Sequence, residues 1–156
     1  MPRAIPQAAI DLVKRFEGFS ATRYEDPPGS GGYSIGYGHH ILPHEDWQEP
    51  ITEAEATDAM LDDLENCAAE ITRLVKPEFL KDLTDNQYAA LLDFVYNEGA
   101  GHFASSTMLR LINQGAIIRA GNEFPRWDYI AGEPSWDLLR RREMEEKLWN
   151  TYEVKA

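Results

Sequence analysis

The chain has 156 residues, enough for one domain with a continuous core, and its 43% apolar and 27% charged content is ordinary for a globular protein. A net charge of −12 argues against a nucleic-acid partner, and no stretch approaches the roughly 20 apolar residues of a membrane span, so no stable membrane insertion is expected. The N-terminal run Met1-Pro2-Arg3-Ala4-Ile5-Pro6 lacks the apolar core of a signal peptide, and a single cysteine, Cys67, on an apolar helix face, excludes an intramolecular disulfide.

Pro6 suits a first helical turn, and Ala9, Ile10, Val13 and Phe16 recur at helical spacing, which predicts a helix over 6–16. Glu17 closes it and Gly18 is the expected helix-ending residue. The partial negative charge of a helix C-terminus disfavours an ionised carboxylate there and so suits Glu17 to hold a proton. Asp26 opens a hairpin whose turn is Pro27-Pro28-Gly29-Ser30-Gly31-Gly32. Ile35, Tyr37, His39 and Ile41 then alternate with Ser34, Gly36, Gly38 and His40, the pattern of one strand with a face nearly stripped of side chains. Such a face would let a polysaccharide approach the backbone closely. His39 and His40 are adjacent on a strand and point to opposite faces, so they and His44 are not expected to share a metal ion. His39 reads as a buried histidine paired to a carboxylate, and His40 as exposed.

Thr52-Glu53-Ala54-Glu55 is a capping box that opens a helix of about 24 residues, roughly 36 Å long, ended by Pro77. Met60, Leu64, Cys67, Ala68, Ile71, Leu74 and Val75 form its apolar face. A second capping box, Thr84-Asp85-Asn86-Gln87, opens a helix that is apolar almost all round through Leu91, Leu92, Phe94, Val95 and Tyr96. Shorter helices follow near 107–113 and 116–124, and a longer one over about 136–150. Trp127, Trp136 and Trp149 read as core residues. Arg140-Arg141-Arg142 reads as a solvated face beside Glu143, Glu145 and Glu146, from which one arginine could reach the first helix. Residues 51–100 hold 12 acidic against 3 basic side chains and residues 101–156 hold 8 of each, so most of the acidic excess lies on the middle helices.

Glu17 and Asp26 are the pair that carries chemistry. Hydrolysis of a glycosidic bond needs a protonated acid for the leaving oxygen and an ionised carboxylate near the anomeric carbon. The surrounding residues make the match specific. Phe16-Glu17-Gly18, Tyr24-Glu25-Asp26 and Ser34-Ile35-Gly36-Tyr37-Gly38-His39 resemble the phage-type lysozymes, the endolysin muramidases of glycoside hydrolase family 24. The resemblance runs on through Leu83–Leu91, Phe94–Gly99, Ser106-Thr107-Met108-Leu109, Arg126-Trp127 and Arg140–Glu143, essentially the whole chain. It implies an α+β, lysozyme-like fold: a small β-containing N-terminal lobe over about 1–50, a connecting helix over 51–76 and a helical lobe over 77–156.

The family's catalytic trio is Glu, Asp and Thr, with eight and then five residues between them. Here the first spacing holds, whereas seven residues separate Asp26 from Ser34, a serine in place of threonine, so the turn is enlarged by two. The resemblance implies Glu17 as acid, Asp26 as general base or electrostatic support, and Ser34 as a hydroxyl that orients water. Tyr24, Tyr37, Asn97, Glu98, Ser106 and Thr107 are candidates to line the glycan cleft. It further implies peptidoglycan as substrate, no cofactor, a holin to let a cytoplasmically made enzyme reach the wall, and host lysis as the role; a monomer is the default. A lytic transglycosylase would use the same glutamate without hydrolytic water, and a wall-binding module would keep the fold without turnover.

Overall fold

The computed structural model describes residues 3–152. Helix α1 spans Gln7–Glu17, with Pro6 just outside it as the N-terminal flanking residue and Gly18 closing it through an N–H bond to the Lys14 carbonyl. A three-stranded antiparallel sheet follows, β1 (Ser20–Glu25), β2 (Tyr33–Gly36) and β3 (His39–His40), in spatial order β1-β2-β3. The long helix α2 (Glu53–Leu74) leads into α3 (Pro77–Leu80), α4 (Asp85–Glu98), α5 (Ala100–Ala104), α6 (Thr107–Ile112) and α7 (Ile117–Gly121). A 3₁₀ turn (Phe124–Arg126), a small hairpin of β4 (Tyr129–Ile130) and β5 (Glu133–Pro134), and α8 (Trp136–Trp149) complete the chain. This is the α+β, lysozyme-like arrangement that the motifs imply, with a small sheet, a connecting helix and a helical lobe.

Two elements differ from the sequence reading. The single strand expected over 34–41 is broken. Gly36 and Gly38 both take positive φ, +67° and +78°, and between them the chain folds back so that Ile35 pairs with His39 and Ser34 with His40. The partner strand β1 lacks regular alternation, because a register irregularity lies between Ser20 and Tyr24, and so it carries little periodic signal.

Helix α2 is 22 residues long, and its buried side is Ala56, Ala59, Met60, Leu64, Ala68 and Ile71. Thr52 caps it by accepting the Glu55 N–H at 3.1 Å, although only the α4 box, Thr84 with Gln87, is reciprocal. Helix α4 is the centre of the helical lobe, with every residue from Tyr88 to Val95 buried. Phe94 meets Phe103, Phe124 and Trp127 edge-on at 5.5–6.4 Å, geometry that adds to the roughly 1.5–3 kcal/mol each large apolar side chain gains from burial. Helices α1, α2 and α8 pack around α4, so a helix that precedes the sheet is anchored on the helical lobe. Trp149 is core and Trp127 packs against it, but Trp136, at 81% exposure, is not: it opens α8 on the solvent side. Cys67 is half-buried, and burial pushes its thiol up to about 12.

The loop between β3 and α2 is fastened by His39. Its Nδ1 lies 2.7 Å from Asp63 of α2, and its Nε2 lies 3.0 Å from both oxygens of Glu45. The Asp63 hydrogen bond, with Glu45 adding to it against the opposing effect of burial, pushes the imidazole up to about 9. A histidine whose folded value lies above its unfolded value near 6.5 stabilises fully below that value. That contribution is lost as pH rises towards about 9. The melting temperature of the wild type relative to His39→Asn should therefore fall between pH 6.5 and about 9, as read by thermal denaturation across pH; a constant difference would mean the imidazole is not charged in the clamp.

Candidate active site

Glu17 arrives on the last turn of α1 and is met from two sides. From the helical lobe, Arg141 of α8 donates Nη1 to Glu17 Oε1 at 2.7 Å. The same guanidinium grips Asp93 of α4 with its other edge, Nε to Oδ2 at 2.9 Å and Nη2 to Oδ1 at 2.8 Å. From the sheet, Gly38 lies so close that a Cβ there would stand 2.7 Å from Glu17 Oε2. Gly36 is equally confined, with Ala56 of α2 at 3.0 Å from the position of a Cβ. The glycines are thus packing surfaces for a carboxylate and a helix, as well as turn residues, and do not form the open strip that the alternation suggests.

The arginine run is likewise not a solvated face. Arg140 is exposed, but Arg141 and Arg142 are buried, at 4% and 0% exposure, and so is Glu145. The reach of one arginine to the first helix is made by Arg141. Arg142 donates Nη2 to Asn97 Oδ1 at 2.8 Å and to Glu145 Oε1 at 2.9 Å, and Nη1 to Glu98 Oε1 at 3.2 Å. Asn97, at the exposed end of α4, therefore has its oxygen committed inward, which leaves its Nδ2 as the outward donor. Glu98 also lies 3.5 Å from His102.

On the sheet side, Asp26 is exposed and sits at the neck of the enlarged turn, its N–H donating to the Gly32 carbonyl at 2.9 Å. Glu25 organises that turn by accepting the N–H groups of Gly29 and Gly31. Tyr24 and Ser34 are directly opposed across β1 and β2, so their side chains share one face. The Tyr24 phenol is raised first by burial and then by the charges of Glu17 and Asp26. Ser34 itself is buried.

The remaining candidates divide. The Tyr37 ring is buried, its hydroxyl donates to Glu53 of α2 at 2.8 Å, and its backbone carbonyl accepts from Tyr96 at 2.6 Å, so it joins the sheet to α2 and α4. Ser106 caps α6 by accepting the Leu109 N–H and donates to the Phe103 carbonyl, which leaves Thr107 as the exposed hydroxyl of that pair. Thr107 lines two polar hollows of about 510 and 390 Å³, together with Arg110. Among the described residues no group of three His, Cys, Asp or Glu is arranged to hold a metal ion, and no helix is long and apolar enough to cross a membrane. Asp93 was the residue missed by sequence reasoning, although a lone acid inside an otherwise apolar α4 is a visible anomaly.

A small sheet, a long connecting helix and a helical lobe, with Glu17 held between Arg141 and Gly38, define a lysozyme-like protein. Residues 14–145 match the family described as phage lysozyme, and the chain belongs to that family. It is 36% identical over 150 residues to an endolysin of Bacillus phage PZA, covering 94% of this chain and 55% of that one. It is also 32% identical over 152 residues to an endolysin of Acyrthosiphon pisum secondary endosymbiont phage 1, covering 94% and 98%. The chain spans about half the length of the Bacillus phage endolysins it matches, 55% and 56% for phages PZA and B103. Among solved structures, the muramidase domain of SpmX from Asticaccaulis excentricus superposes with a TM-score of 0.82 at 30% identity, covering 96% of this chain and 99% of that one. A P22 lysozyme variant gives 0.79 at 29% identity, with the same coverage.

The close fit of Gly38 against Glu17 has a measurable consequence. Gly38→Ala should cost at least about 1–2 kcal/mol from the positive φ alone, with further loss from displacing the carboxylate. Gly101→Ala in α5, where a Cβ meets nothing within 4 Å, should be neutral or stabilising. Equal melting temperatures for the two variants would contradict the packing described.

Proposed function

We propose that this chain is an endolysin-type muramidase that hydrolyses the β-1,4 bond between N-acetylmuramic acid and N-acetylglucosamine in bacterial peptidoglycan. The observation that carries the reading is Glu17, held by Arg141 and packed against Gly38 of the sheet region, with Asp26 at the neck of the adjoining hairpin turn. In the proposed reaction Glu17 gives its proton to the glycosidic oxygen as the bond to the anomeric carbon breaks. Asp26 accepts a proton from a water whose oxygen adds to that carbon, and the proton returns to Glu17 through solvent. Ser34 orients the water. Both groups that exchange protons are side chains of this protein, and the reaction calls for no cofactor.

The glycan is proposed to lie across Tyr24 and the outward Nδ2 of Asn97, with Thr107 further along the helical lobe. Glu98, Tyr37 and Ser106 support these positions from behind: Glu98 through Arg142, Tyr37 through Glu53 and Tyr96, and Ser106 as the cap of α6. The enlarged turn is compatible with this reading because Glu25 and the Asp26–Gly32 bond close it at its neck. By analogy with the endolysins it resembles, the enzyme is proposed to be made in the host cytoplasm, to reach the wall after a holin permeabilises the membrane, and to act as a monomer in host lysis.

Mass spectrometry of soluble products from purified peptidoglycan tests the reading. Reducing-end muropeptides that carry one added water are expected from the wild type. Glu17→Gln should lower their release by about 10²–10⁴-fold without loss of melting temperature, and Asp26→Asn should lower it strongly. Anhydro-muropeptides would instead indicate a transglycosylase. Wall binding with no product at all would indicate a binding module.

A further inference from the structure

An arginine 2.7 Å from a general acid poses an electrostatic problem, because a nearby cation favours the ionised form of the carboxyl and so works against proton donation. The Arg141 guanidinium is buried, where water screens its charge poorly. We propose that Asp93 is a positioning residue that neutralises Arg141, so that the arginine orients Glu17 by hydrogen bonding without stripping its proton. The inference rests on the reading of Glu17 as the acid.

The geometry is that of a clamp divided between two carboxylates. Asp93 is entirely buried and takes the Nε–Nη2 edge of the guanidinium, a two-point grip, whereas Glu17 takes only Nη1. Burial alone would raise it, but the charge and hydrogen bonds of Arg141 outweigh that and hold it ionised. Arg141 and Asp93 therefore form a neutral unit.

Glu145, one turn along α8, is fully buried, and burial followed by the charge of Asp93 raises it well above the usual carboxylate range. Its Oε1 accepts from Arg142 Nη2 at 2.9 Å and its Oε2 lies 2.9 Å from Arg142 Nε, so it partners Arg142 and leaves Arg141 to Asp93. Arg142 also lies 3.2 Å from Glu98. The groups around Asp93 are Arg141, Arg142 and Glu145 from α8 and Cys67 from α2. Those around Glu17 are Arg141 from α8, Tyr96 from α4 and Tyr24 from β1. Of these, Asp93 is the carboxylate that meets Arg141 on the edge away from Glu17.

Asp93→Asn removes the charge and keeps the shape. The expected result is an alkaline limb of the pH–activity profile displaced to lower pH by about one unit or more, with KM nearly unchanged. At pH 7 kcat should fall about tenfold or more and recover towards wild type in acid. A uniform loss at every pH, with the limb in place, would overturn the proposal and leave Asp93 a purely structural partner. Should Asp93→Asn not accumulate as folded protein, Asp93→Asn/Arg141→Gln, which buries no charge at the clamp, carries the test. Its limb should lie at or above the wild-type position with a lowered kcat; a limb displaced to lower pH would overturn the proposal. If Glu17→Gln retains turnover, the acid assignment fails first. If Glu17→Gln is inactive and Asp93→Asn shows no displacement, only this inference fails.

Discussion

The contact on which the site depends is the Arg141 guanidinium, shared between Glu17 and Asp93. It ties the end of α1 to α4 and α8, and so fixes the one candidate catalytic residue contributed by the helical lobe. The surrounding fold makes this contact possible. Every residue of α4 from Tyr88 to Val95 is buried, which is why Asp93, the one acid in that stretch, must be paired. Breaking a buried pair of this kind costs about 3–5 kcal/mol, because a charge is left unpaired in a low-dielectric interior. The interaction therefore constrains substitutions at Arg141 and Asp93 together.

The sheet supplies the opposing wall. Its short strands would be marginal alone, and they are held by contacts that are polar as much as apolar. His39 bridges Asp63 and Glu45, the Tyr37 hydroxyl reaches Glu53, and the Tyr96 hydroxyl reaches the Tyr37 carbonyl. These bonds join the β region to α2, to α4 and to the loop before α2. The turn between Asp26 and Ser34 lies outside that framework and is organised locally by Glu25. Insertion of two residues there lengthens a loop whose ends remain paired as Glu25–Tyr33 and Tyr24–Ser34.

Much of this was legible in the sequence for identifiable reasons. The N-caps at Thr52 and Thr84 and the Gly18 stop are local signals, and they locate three helix ends correctly. The pairing of His39 with a carboxylate was read from a histidine on the apolar face of its strand, and Asp63 and Glu45 supply it. What the sequence hid were consequences of tertiary approach. Alternation over 34–41 is the same for one strand as for two folded at Gly36–Gly38, because positive φ is invisible in a residue string. Three consecutive arginines look solvated until the acids that face them, Asp93 and Glu98 on another helix and Glu17 more than 100 residues earlier, are brought alongside. Trp136 erred in the opposite sense: an aromatic residue at a helix start was assigned to the core, but the first turn of α8 faces solvent.

The central claim is that Arg141 acts on turnover by orienting Glu17 and does not serve to hold substrate. The most direct measurement is the separate determination of kcat and KM for Arg141→Gln on a soluble peptidoglycan fragment. The account predicts a kcat lowered on the order of 10²-fold, the cost of a misplaced reacting group, with KM nearly unchanged. A raised KM with kcat preserved would contradict it, and would make the arginine a binding residue for the glycan.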